Sequence, residues 1–151
     1  MKRPSKEEYY LDIAKAVAKR SPCLRKHYGA IIVKSDQVLT TSYNGPVRGE
    51  SHCGQCTKVS SDKDIAEYTT CPACHAEMNC IINVSRTEML GADLYLAGFD
   101  LKPGEAVECV ARPCEICLRL IKNAGINRVI NKNGVIYQRD SEGILREVKN
   151  D

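Results

Sequence analysis

Apolar residues recur at Tyr10, Ile13, Ala14, Val17 and Ala18, a helical spacing that Ser21-Pro22 brings to an end. Ser5 followed by Glu8 has the form of a capping box, so the pattern predicts an amphipathic helix over about 6–20. Ala30 to Val33 and Gln37 to Tyr43 are β-prone runs separated by Lys34-Ser35-Asp36; they predict a hairpin that delivers Tyr43-Asn44-Gly45 to a strand end. Over 46–73 the apolar period lapses into a Cys-rich, polar loop, and a loop of that length needs an anchor other than apolar burial. Helical periodicity resumes at His75 with Met78, Ile81 and Ile82, and Gly91 precedes the strand-like Ala92 to Ala97. Residues 99–112 read as an insertion. Pro113 suits the first position of a helix whose face is Ile116, Leu120, Ile121 and Ala124 and whose cap is Gly125. Ile126 to Ile130 predicts a further strand, and Val135 to Tyr137 with Ile144-Leu145 either a last hairpin or a mobile tail.

Helices and strands alternate along 151 residues, enough for one core and too few for two ordinary domains, so residues 1–151 are expected to form a single α/β domain. The net charge of +3 comes from 22 basic and 19 acidic residues without a concentrated basic run, which argues against a nucleic-acid polymer as partner. The charged start, Met1 to Lys6, carries no apolar signal region and no stretch is apolar enough to span a membrane, so a soluble, cytoplasmic protein is expected. Nine cysteines, an odd number without a secretion signal, point to thiols that bind metal or do chemistry rather than to disulfides.

Cys114 and Cys117 lie one helical turn apart at a predicted helix start, where the positive helix end favours thiolate and both sulfurs can face one tetrahedral ion. A lone CxxC is also a redox motif or half a structural zinc knuckle. His75-Ala76-Glu77 supplies a ligand and a carboxylate at another helix start, with 38 residues between His75 and Cys114. Singly, these residues have ordinary structural roles; H-x-E together with P-C-x-x-C is the signature of zinc nucleobase deaminases, with His75, Cys114 and Cys117 as ligands and Glu77 as proton carrier. Three protein ligands leave the fourth position to water. Two thiolates nearly cancel the charge of Zn²⁺, so the metal alone acidifies water less than a site with neutral ligands, and a neighbouring carboxylate base gains importance.

With these motifs, and with Cys23-Leu24-Arg25-Lys26 before Gly29-Ala30-Ile31-Ile32-Val33, Tyr43-Asn44-Gly45, His75-Ala76-Glu77-Met78-Asn79 and Asn123-Ala124-Gly125-Ile126, the chain resembles the cytidine and deoxycytidylate deaminase superfamily, its deoxycytidylate branch above all. The resemblance implies a three-layer α/β/α fold with a central mixed sheet of about five strands, and a homo-oligomer. It implies hydrolytic deamination of a cytosine nucleotide, dCMP to dUMP, with Asn44 on the sugar, the Ala76 amide on the pyrimidine, and Arg25, Lys26 or Arg48 on the 5′-phosphate. An exposed, solvated charge is an equal reading for each of those basic residues. Three departures stand out: Ser42 replaces the usual glycine, Cys80 the usual alanine, and residues 99–112 lengthen a connection that borders the pocket. Another small amino-heterocycle as substrate, such as dCTP, a nucleoside, a guanine-like base or an antibiotic, therefore stays open. So does a zinc-stabilised binding module, against which Glu77 argues.

A second, structural zinc is expected before the catalytic helix. By spacing alone, Cys53-Gly54-Gln55-Cys56 and Cys71-Pro72-Ala73-Cys74, 14 residues apart, could close one tetrahedral site. The resemblance implies a different set, Cys23, Cys53 and Cys71, completed here by Cys56, with His52 and Cys74 in reserve.

Overall fold

The computed structural model describes residues 1–57 and 71–149; the stretch 58–70 of the loop expected at 46–73, and residues 150–151, lie outside them. Helix α1 spans Lys6–Ala18. Its capping box is formed in both directions: the Glu8 N–H donates to Ser5 Oγ at 3.1 Å and the Ser5 N–H to the Glu8 carboxylate at 2.7 Å. Tyr10, Ala14 and Ala18 are its buried stripe.

Strands β1 (Lys26–Lys34) and β2 (Gln37–Tyr43) form the expected hairpin. Ser35 and Asp36 both take positive φ, 52° and 60°, the pattern of a type I′ turn, which costs non-glycine residues strain. The Asp36 carboxylate accepts from the Tyr10 hydroxyl and pairs with Lys6 at 3.0 Å, so the turn is held onto α1. After the two-residue strands β3 (Gly45–Pro46) and β4 (Ala73–Cys74), which pair with each other, come α2 (Ala76–Ile82) and α3 (Arg86–Met89).

The remaining elements are β5 (Asp93–Lys102), β6 (Glu105–Cys109), α4 (Glu115–Ala124), β7 (Arg128–Asn131), β8 (Gly134–Arg139) and β9 (Leu145–Glu147). The main sheet has seven strands instead of about five, ordered β2-β1-β5-β7-β8-β9 with β6 also on β5. It is mixed, because β5 and β7 run parallel while the other pairs are antiparallel. The chain's end forms the last hairpin, β8 with β9.

The stretch expected as an insertion, residues 99–112, takes the form of a hairpin over most of its length. Phe99 to Lys102 continue β5, and β6 folds back on them from Lys102↔Glu105 to Gly98↔Cys109. Pro103 followed by Gly104 at φ 79° is the type II pattern that closes this hairpin.

Strand alternation sorts the core into two layers. Ile31, Val33, Tyr95, Ala97 and Ile130 pack with Tyr10 and Ala14 of α1. Ala30, Ile32, Leu94 and Leu96 face the other way, onto Ala76 and Cys80 of α2 and Ile121 and Ala124 of α4. Helices therefore cover both faces, a three-layer α/β/α arrangement. Gly29 lets α1 lie directly on β1: a Cβ there would stand 2.2 Å from the Ala14 carbonyl oxygen. Among the described residues, no helix is long and apolar enough to cross a membrane.

Candidate active site

Two helix starts meet at one end of the sheet. His75 is the N-cap of α2 and Cys114 the N-cap of α4, so Pro113 precedes the cap instead of opening the helix. Gly125 ends α4 at φ 78°, as its position after the last apolar residue predicts. His75 Nδ1 lies 3.5 Å from Cys114 Sγ and 3.3 Å from Cys117 Sγ. The ligand atoms of these three residues all lie within 4.8 Å of one another, the one such group among the described residues. One histidine nitrogen and two sulfurs converging on a point are a donor set suited to tetrahedral zinc with a position left open.

The anchoring of α2 explains how His75 is held. The Cys80 thiol donates to the Ala30 carbonyl at 3.2 Å, the Asn83 amide donates to Ser42 Oγ at 3.2 Å, and the Asn79 amide donates to the Tyr43 carbonyl at 3.0 Å. Cys80 and Ser42, two departures from the family pattern, thus tie the helix to β1 and β2.

Glu77, the second residue of α2, is 4% exposed. Burial pushes its carboxyl above the ordinary carboxylate range, opposed by the hydrogen bond from its own backbone N–H and by His75. A carboxyl so placed holds a proton more readily than one in water. The hydrogen bond from Cys117 holds the Cys114 thiol well below its usual pKa, with His75 acting in the same sense, while Cys117, facing that charge, is raised. One thiolate is thus already favoured where the metal would sit.

The trio opens onto a cavity of about 230 Å³ whose lining includes His75, Glu77 and Cys114 together with Arg25, Lys26, Tyr28, Asn44 and Arg112. This is small even for a small-molecule site. Glu77 is the one carboxylate among the described lining residues, against three cationic side chains. Asn44 is buried; its amide donates to the Lys26 carbonyl at 3.0 Å and its Oδ1 accepts from the Tyr28 N–H at 2.8 Å, leaving one hydrogen and one lone pair. Ala76 opens α2 with its side chain in the core. Arg48 does not join this cavity and lines a neighbouring depression of about 390 Å³.

Cys23, Cys53, Cys56 and Cys71 all line the cavity wall as well. Burial raises the Cys23 thiol, a hydrogen bond with Ser21 lowers it, and Cys71, Cys53 and Cys56 raise it further. The reserve candidates His52 and Cys74 lie instead in the neighbouring depression. Tyr28 and Arg112 are lining residues that sequence reasoning passed over. Arg112 adjoins the Pro113-Cys114 motif, a signal that was available, whereas Tyr28 becomes visible only once β1 and β5 are paired.

The profile of the cytidine and deoxycytidylate deaminase zinc-binding region matches residues 4–132. The chain belongs to this family. Among its relatives, the deoxycytidylate deaminase of Mycobacterium phage D29 is 36% identical over 136 residues, covering 86% of this chain and 96% of that protein. The deoxycytidylate deaminase of Schizosaccharomyces pombe is 32% identical over 92% of this chain, which spans 40% of that longer protein. In fold, the family member from cyanophage S-TIM5, a dCMP deaminase solved with dCMP and dUMP, has a TM-score of 0.63 at 22% identity, covering 87% of this chain and 83% of that one. The family is zinc-binding, and the His75, Cys114, Cys117 group suits that metal.

Proposed function

We propose that this protein deaminates a cytosine nucleotide, deoxycytidylate first of all, to the uracil nucleotide and ammonia. The observation that carries the reading is Glu77, buried beside the His75, Cys114 and Cys117 trio at the floor of a cavity with three cationic lining residues. When bound there, zinc supplies the Lewis acidity that makes a water molecule nucleophilic at neutral pH. Glu77 takes up the proton released from the attacking water and delivers protons to N3 and the departing amine. Asn44, the Ala76 amide, Arg25 and Lys26 orient the nucleotide, and Arg48 contributes only if the ligand reaches the neighbouring depression. Ammonia release should be measured with dCMP, deoxycytidine, dCTP and guanine. A clear preference for dCMP supports the reading, and preference for guanine or no turnover of any cytosine compound overturns it.

A second zinc, structural, completes the proposal, with Cys23, Cys53, Cys56 and Cys71 as ligands. Four thiolates match tetrahedral zinc, and all four line one wall. No three of these sulfurs meet within the 4.8 Å of the catalytic trio, so binding would draw them together. Metal analysis should find two zinc ions per chain and one in Cys53→Ser; a wild-type value of one removes the second site. A homo-oligomer belongs to the same reading, with Ile82, Val47 and Tyr43 as exposed apolar surface, and sedimentation as a monomer removes that part.

A further inference from the structure

Beyond the metal trio, part of the cavity wall is built by residues of β1 that pair with β5. Lys26 and Tyr28 stand two residues apart on one face of β1, and their cross-strand partners are Asp100 and Gly98. Lys26 Nζ lies 3.4 Å from the Asp100 carboxylate, and Tyr28 follows it on the same face of the strand. An ammonium has donors only, so Lys26 cannot accept from the Tyr28 O–H, which is left to donate elsewhere.

Gly98 accounts for where the ring lies. A Cβ at that position would be 2.7 Å from Tyr28 Cδ1 and 3.0 Å from Cys109 Sγ. Glycine weakens the interior of a strand, and its usual justification is the close approach of another group. Here that group is an aromatic ring laid across β5 at the edge of the cavity. Lys26 and Tyr28 both line the cavity, while Asp100 reaches it only through Lys26.

We infer that Tyr28 is a specificity-determining residue whose hydroxyl donates to the 5′-phosphate of the bound nucleotide, and that Asp100 is a positioning residue holding Lys26 beside it. The inference rests on the cytosine-nucleotide reading above. Its chemical basis is that this corner presents donors: an ammonium, a phenol O–H and the neighbouring Arg25 guanidinium, with the Asp100 carboxylate already engaged by Lys26. A group that accepts several hydrogen bonds and carries negative charge fits such a corner, and a neutral sugar hydroxyl uses it poorly.

The test compares kcat and KM for dCMP and deoxycytidine in wild type, Tyr28→Phe and Asp100→Asn. Tyr28→Phe keeps the ring on Gly98 and removes only the O–H. It should lower the dCMP-to-deoxycytidine ratio of kcat/KM roughly ten- to hundred-fold, the range for a hydrogen bond to a charged group, with the loss in KM for dCMP rather than in kcat. Asp100→Asn should move the ratio in the same direction by less. A ratio unchanged in Tyr28→Phe, in a wild type that does deaminate dCMP, overturns the inference and leaves the proposed function standing. A wild type inactive on dCMP overturns both.

Discussion

The backbone N–H of Cys117 donates to Cys114 Sγ at 3.4 Å, so one sulfur of the metal site caps the turn that carries the other. Serine is a better N-cap than cysteine but a poor zinc ligand. In chelator-treated protein, Cys114→Ser should therefore be more stable than Cys114→Ala by about 1 kcal/mol, and both should lose bound zinc. Denaturant unfolding and metal content measure the two effects separately; equal stability of the variants would remove the capping role.

Glu77→Gln keeps the shape of a buried side chain that belongs to no metal ligand set. It should retain zinc and fold while turnover drops by roughly 10²- to 10⁴-fold, the usual range for lost proton transfer. Loss of metal in this variant, or a near-normal rate, would contradict the role given to Glu77.

The contact between Tyr10 and Asp36 makes stability depend on pH at both extremes. The hydrogen bond to Asp36, followed by burial, raises the Tyr10 phenol to about 12, while the same bond, with help from Lys6, lowers Asp36. A raised folded pKa means stability that is complete below the phenol's ordinary value of 10.0 and is lost as pH climbs towards about 12. A lowered one means stability complete above the carboxyl's ordinary 3.8 and lost as pH falls below it. Tyr10→Phe should flatten both limbs. In an ultraviolet titration it should also abolish the phenol step near 12, and persistence of that step would assign it to another tyrosine.

Gly29→Ala should destabilise the fold by about 3 kcal/mol or more, as overpacking does when backbone is the obstacle. The added Cβ would meet the Ala14 oxygen at 2.2 Å and the Ala18 nitrogen at 2.4 Å, neither of which can rotate away. Equilibrium unfolding checks this, and a cost under about 1 kcal/mol would show that α1 can slide off β1 cheaply.

Much of the fold was readable where local chemistry repeats tertiary demand. The α1 capping box, the stripe at Tyr10, Ala14 and Ala18, and the Gly125 cap each state in the sequence what packing requires. The grouping of His75, Cys114 and Cys117 was readable because all three sit in short motifs at helix starts, and the structure brings their ligand atoms within 4.8 Å of one another. The hairpin within residues 99–112 was not legible because Glu105 to Cys109 is exposed or half-buried, so β6 lacks the apolar alternation that marks a strand, and only Pro103-Gly104 announced the turn. Pro113 was misassigned by two positions, since a helix start is set by which side chain caps it, here Cys114. The pairing of Lys26 with Asp100 has no local signal, because the two residues lie on strands far apart in the chain.

The sheet forks along β5: β7 pairs with Asp93 to Tyr95 only, and from Gly98 outward the neighbour is β6. Gly98 is the last buried residue of the strand, so the finger beyond it can change length or tip sequence without reopening the core. Asp100 lies on that finger, whereas the residues proposed to hold metal and move protons lie at the starts of separate helices. Under the roles proposed above, substitutions on the finger retune which ligand is welcomed while leaving the reaction intact.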